Sequence, residues 1–122
     1  MIKGLHHVGI GVADLDKTIG DYEKIGFEVK KRFTKDDVKA RAALVVKGNS
    51  AIELFEFKDP VNELAQKISN HFALETDNLD SDLKKLVDIG YKVSIPVAEG
   101  VSVKRFVYVE DENNNQIELV EL

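Results

Sequence analysis

Cysteine is absent from the 122 residues, which removes disulfide frameworks, thiolate metal sites and a cysteine nucleophile together. Proline occurs only twice and no low-complexity tract is present, so nothing marks a linker between separate domains. Positive charge is scarce: 17 basic residues face 22 acidic ones, for a formal charge of −5. That balance lacks the basic footprint a phosphate backbone demands and argues against a nucleic-acid partner. No apolar run is long enough to span a bilayer, and the first residues lack the charged and apolar regions of a secretory signal. The expectation is a cytoplasmic, non-membrane protein with one domain over residues 1–122. Its 43% hydrophobic content supports a core without covalent staples.

What is present is a repeat, the feature that most constrains the fold. "HVGIGVADLDKTIGDYEKIGFEV" (7–29) aligns without a gap on "HFALETDNLDSDLKKLVDIGYKV" (71–93), at an offset of 64. His7 meets His71, Leu15 meets Leu79, Asp16 meets Asp80, and Ile25-Gly26 meets Ile89-Gly90. "AIELFEF" (51–57) then matches "QIELVEL" (116–122) at an offset of 65. The chain is two copies of one unit, module 1 at about 1–60 and module 2 at about 66–122.

Each copy reads as βαβββ. Apolar strands at 5–13 and 69–77 precede helices at roughly 14–25 and 78–89, with Asp14 and Asn78 as N-caps. Gly26 and Gly90 stand where a left-handed C-terminal cap belongs. Strands follow near 27–34, 40–47 and 50–57, and again near 91–95, 103–109 and 115–122. Two such modules predict an α+β fold of curved, half-barrel mixed sheets around a concave interior, with helices outside. Leu15/Leu79 and Ile25/Ile89 are expected as paired core positions.

Side-chain alternation sorts the strand faces. In the first strand, Val8, Ile10 and Val12 share the face expected against the helix; His7, Gly9, Gly11 and Ala13 share the concave face. In the second copy Phe72 and Leu74 take the core face, and His71 lies opposite with Ala73. On the last strands, Ile52 and Leu54 oppose Glu53, Phe55 and Phe57, while Ile117 and Leu119 oppose Glu118 and Val120. Each copy thus presents one His from its first strand and one Glu from its last by the same parity. His6 has no repeat partner and reads as a peripheral polar residue; Glu56 and Glu121 read as solvated. Two imidazoles and two carboxylates suit a divalent transition metal with positions left for water or substrate.

On these residues, "HHVGIGVADLDKTIGDYEKIGF", "NHFALETDNLD" and the paired "IELFE" and "IELVE", the chain resembles the vicinal oxygen chelate superfamily. That group includes glyoxalase I, methylmalonyl-CoA epimerase, extradiol dioxygenases, and fosfomycin and bleomycin resistance proteins. The resemblance implies metal ligands at His7, Glu53, His71 and Glu118, and with all four present it is strongest to bacterial glyoxalase I. It implies one divalent metal per site (Ni, Co, Zn or Mn) and a homodimer whose metal sites two chains can share. One departure is plain. Where glyoxalase I carries an Arg and an Asn that help hold glutathione, this chain has Gly11 and Phe57. Phe55 and Phe57 are therefore candidates to line a less polar substrate pocket. Arg41 and Arg105 are candidate anion anchors, with a solvated strand position as the alternative.

The chemistry such a donor set supports is proton transfer next to a carbonyl, with the metal as Lewis acid toward a developing enediolate. The resemblance makes Glu118 the principal base and Glu53 its counterpart. The first reading is a lyase/isomerase of glyoxalase I type acting on a small hemithioacetal-like substrate. A methylmalonyl-CoA epimerase-like enzyme is the second, with Lys30-Lys31-Arg32 as the basic run that CoA phosphates would need. The third is a non-catalytic small-molecule binding or antibiotic-resistance protein of the same fold.

Overall fold

A computed structural model describes the whole chain, Met1–Leu122. The elements in order are β1 (Ile2–Gly11), α1 (Leu15–Lys24), β2 (Glu28–Lys35), β3 (Ala40–Lys47), β4 (Ser50–Phe57), α2 (Glu63–Ser69), β5 (Asn70–Thr76), α3 (Leu79–Asp88), β6 (Lys92–Glu99), β7 (Arg105–Glu110) and β8 (Gln116–Glu121). A short 3-10 turn covers Asp36–Val38. The result is an α+β fold with three helices and an eight-stranded mixed sheet. It divides into two units, His7–Asn70 and His71–Leu122, the latter joined by Met1–His6.

In the first unit α1 begins at Leu15 because Asp14 is extended (φ −138°) and its carboxylate accepts the Lys17 backbone N–H at 3.1 Å. The helix buries Leu15 and Ile19 against Ala43, Val45 and Leu54 of β3 and β4. It ends at Gly26, whose φ of +100° few other residues tolerate. Strand order is β2-β3-β4-β1; β4 runs antiparallel to β3 and parallel to β1, with Val8 opposite Ile52.

The second unit repeats this pattern. Asn78 caps α3 by accepting the Ser81 N–H at 3.1 Å, and Gly90 closes it at φ +107°. Leu79 packs on Val107 and Leu119. Strand order is β5-β8-β7-β6, with β5 parallel to β8 and the rest antiparallel. Each fully buried leucine contributes about 1.5–3 kcal/mol through removal of apolar surface from water.

Three expectations need correction. Ile25 and Ile89 are not core residues: they are 65% and 70% exposed. Both occupy the C-cap (φ −101° and −88°), beyond the last turn whose stripe faces the sheet. Val8 and Phe72, expected under the helices, are 39% and 37% exposed. The helices cover Ile10, Val12 and Leu74 instead and leave the first part of each strand uncovered. The short α2 was not anticipated; Asn62 caps it by accepting the Leu64 and Ala65 N–H groups, while Ala65 and Ile68 are buried. No helix is long and apolar enough to cross a membrane.

Candidate functional site: two histidine–glutamate pairs

In the first unit the parallel pairing of β1 and β4 sets Gly9 opposite Glu53. His7 is two residues earlier on the same face, so only a glycine stands beside the carboxylate and it can lean back toward the imidazole. His7 Nε2 lies 3.5 Å from Glu53 Oε1. The second unit builds the same figure. Ala73 is opposite Glu118 on β5 and β8, His71 is two residues earlier, and its Nε2 lies 3.1 Å from Glu118 Oε1. All four residues are buried, at 2% to 6% exposure. Burying a carboxylate costs several kcal/mol unless a partner offsets it, so each pair is a constrained polar feature within an apolar layer.

The surroundings of the two pairs differ. Tyr108 is opposite Glu118 in the β7–β8 ladder, and its hydroxyl lies 3.3 Å from His71 Nε2. Gln116, opposite His71, accepts from the Ser94 hydroxyl at 2.7 Å and donates to Glu110 at 2.8 Å. The corresponding positions in the first unit are Leu44 and Ala51.

Phe55 and Phe57 follow Glu53 on the same face of β4. Their rings stack at 5.7 Å, and Phe33 meets Phe55 edge-on at 6.3 Å. Phe57 borders a cavity of about 380 Å³ together with Gly11, Val12, Ala13 and Pro60. A side chain at Gly11 would press against Ser69, whose Oγ would be 3.0 Å from its Cβ.

Arg41 and Arg105 are engaged elsewhere. Arg41 donates through Nε to Glu56 at 3.0 Å, and Glu56 also accepts the Leu15 N–H at 2.8 Å. Arg105 donates to Glu121 at 3.0 Å and to Asp80 at 3.2 Å; Glu121 accepts the Leu79 N–H at 3.4 Å. Each guanidinium thus steadies the carboxylate that caps a helix start. The hydrogen bond from Arg105 holds the Glu121 carboxyl below its ordinary value. Within the basic run, Arg32 reaches Asp16 at 3.3 Å. Tyr108 is a site neighbour that strand alternation alone does not reveal, and Glu56 and Glu121, expected as solvated, instead accept helix-start N–H groups. The signal was there, since Arg41/Arg105 and Glu56/Glu121 keep the repeat offsets.

Chemically, each pair brings one imidazole nitrogen and one carboxylate oxygen to within hydrogen-bond or ion-pair range in a buried setting. This is a two-donor arrangement suited to a borderline divalent cation.

The sequence model of the Glyoxalase/Bleomycin resistance protein/Dioxygenase superfamily matches residues 4–119. A comparison with curated proteins returns no match. Among solved structures, methylmalonyl-CoA epimerase from Mycobacterium tuberculosis is similar with a TM-score of 0.84 and 28% identity, over 98% of this chain and 88% of that one. A methylmalonyl-CoA epimerase variant from Streptomyces coelicolor, in complex with 2-nitronate-propionyl-CoA, gives a TM-score of 0.84 at 23% identity, covering 99% of this chain and 98% of that one. Another methylmalonyl-CoA epimerase gives 0.78 at 15% identity, covering 96% and 93%. The latter two show the shared fold.

Proposed function

Because the chain belongs to the glyoxalase/bleomycin resistance protein/dioxygenase superfamily, we propose that it is a divalent-metal-dependent epimerase of an acyl-CoA thioester, acting at the carbon next to the thioester carbonyl. The observation that carries the substrate class is the likeness to the M. tuberculosis epimerase, at 28% identity over 98% of this chain. The buried His–Glu pairs carry the reaction type.

His7, Glu53, His71 and Glu118 would hold one cation, each offering a single ligand atom; two imidazoles and two carboxylates suit Ni²⁺, Co²⁺, Zn²⁺ or Mn²⁺. Bound there, the cation supplies Lewis acidity toward the carbonyl oxygen. The chain's own residues move the proton. One glutamate carboxylate takes it from the α-carbon, breaking the C–H bond and leaving its electron pair on the enolate. The other glutamate, as a carboxylic acid, returns a proton to the opposite face. Nothing is oxidised or reduced. Glu118 and Glu53 are the two residues of the right type, and Phe55 and Phe57 give the acyl group an apolar wall. A cytoplasmic homodimer is part of the same reading.

The glyoxalase I-type reading draws less support. Gly11 has no side chain, and one added there would press against Ser69; Phe57 offers a ring to the cavity it shares with Gly11, so neither position supplies the polar contacts that glutathione would need. The test is a single epimer of methylmalonyl-CoA in D₂O with Co²⁺-loaded protein, run beside the hemithioacetal of methylglyoxal and glutathione. Deuterium at C2 together with loss of optical purity is expected. Turnover of the hemithioacetal with an inert thioester would overturn the assignment, and binding of either without exchange would make the chain a binding protein.

A further inference from the structure

The repeat that places a His and a Glu in each unit breaks at the residue across from the glutamate. Leu44 is the cross-strand partner of Glu53; Tyr108 is that of Glu118. Both are buried, at 8% and 2% exposure, and Tyr108 brings an aromatic ring and a hydroxyl where its repeat has neither. That hydroxyl is 3.3 Å from His71 Nε2, and the same nitrogen is 3.1 Å from Glu118 Oε1. The phenol ring is fixed on two sides, edge-on to His71 at 5.0 Å and to Phe106 at 5.9 Å.

A buried phenol hydroxyl needs an acceptor, and leaving it without one is destabilising. An imidazole nitrogen that ligates a cation has neither a lone pair to accept with nor a proton to give. Loading a cation onto Nε2 therefore ends any hydrogen bond between Tyr108 and His71. Edge-on packing against His71 and Phe106 keeps the ring beside this site. The acceptor across the same ladder position is the Glu118 carboxylate.

We propose that Tyr108 is a positioning residue whose hydroxyl donates to the Glu118 carboxylate once a cation occupies His71 Nε2, fixing which carboxylate oxygen is presented to the cation. This rests on the metal reading above and makes the two His–Glu pairs chemically unequal. Partners that orient a ligating group typically change metal affinity by about 10–100-fold when removed.

The test uses Co²⁺ alone as the probe, with calorimetric titration and the visible d–d spectrum of wild type, Tyr108→Phe and Tyr108→Leu. Phe keeps the ring packing and removes only the oxygen; Leu copies Leu44. A loss of Co²⁺ affinity of about tenfold in both variants, with a changed d–d spectrum in Tyr108→Phe, is expected. Unchanged affinity and spectrum in Tyr108→Phe would overturn the proposal. So would a loss confined to Tyr108→Leu, which would assign the effect to ring packing. Wild type that takes up no Co²⁺ would instead remove the metal reading, and this proposal with it.

Discussion

The two units hold the same His–Glu pair on equivalent strands but surround it with different neighbours. Around His7 and Glu53 the repeat positions are Leu44 and Ala51; around His71 and Glu118 they are Tyr108 and Gln116. The second surround is the more polar one, with Tyr108 beside His71 and Gln116 tied to Ser94 and Glu110. The apolar side of each sheet remained alike, Leu54 with Leu15 in one unit and Leu119 with Leu79 in the other. The two copies share the His–Glu pair and the core positions and differ in what surrounds the pair.

The comparison can be broken most forcefully at the carboxylates. Glu53→Gln and Glu118→Gln should each lower the rate of epimerisation at C2 of the thioester by about 10²–10⁴-fold. A loss in one variant only would mean that a single base carries both half-reactions. The cores come next. Leu54→Ala and Leu119→Ala remove equivalent, fully buried side chains and should each cost about 2–5 kcal/mol in urea denaturation. Unequal values would reveal which unit relaxes more readily around a cavity. Asp14→Ala and Asn78→Ala sharpen the likeness on a smaller scale, each costing about 1 kcal/mol through loss of an equivalent helix cap.

The smallest effect concerns pH. Arg105 holds the Glu121 carboxyl below its ordinary value. The stabilisation is therefore complete above that ordinary value and fades as pH falls through the lowered, folded-state value. Glu121→Gln should leave a shallower acid-side decline in melting temperature than wild type; an unchanged decline would place the acid sensitivity in other carboxylates.

Much of the fold was legible because a duplicated sequence supplies its own check. Asp14 and Asn78 cap as expected, Gly26 and Gly90 take the left-handed conformation, and Leu15 and Leu79 are buried. Strand alternation also placed each His on the same face as its Glu, since a period of two needs no tertiary knowledge. Repetition did not distinguish burial from exposure: Ile25 and Ile89 recur yet lie outside. Val8 and Phe72 recur too, but alternation alone could not tell how far along each strand its helix reaches. The seven residues of α2 are too few to show a helical period. The guanidinium–carboxylate clamps and the placement of Tyr108 depend on cross-strand register, which a sequence read one strand at a time does not contain.

The central proposal is that His7, Glu53, His71 and Glu118 serve a single divalent cation. Co²⁺ stoichiometry by calorimetric titration tests it directly, with wild type beside His7→Ala and His71→Ala. The account predicts one ion per chain and loss of tight binding in either variant. Two ions per chain, or an ion that persists when either histidine is removed, would contradict it.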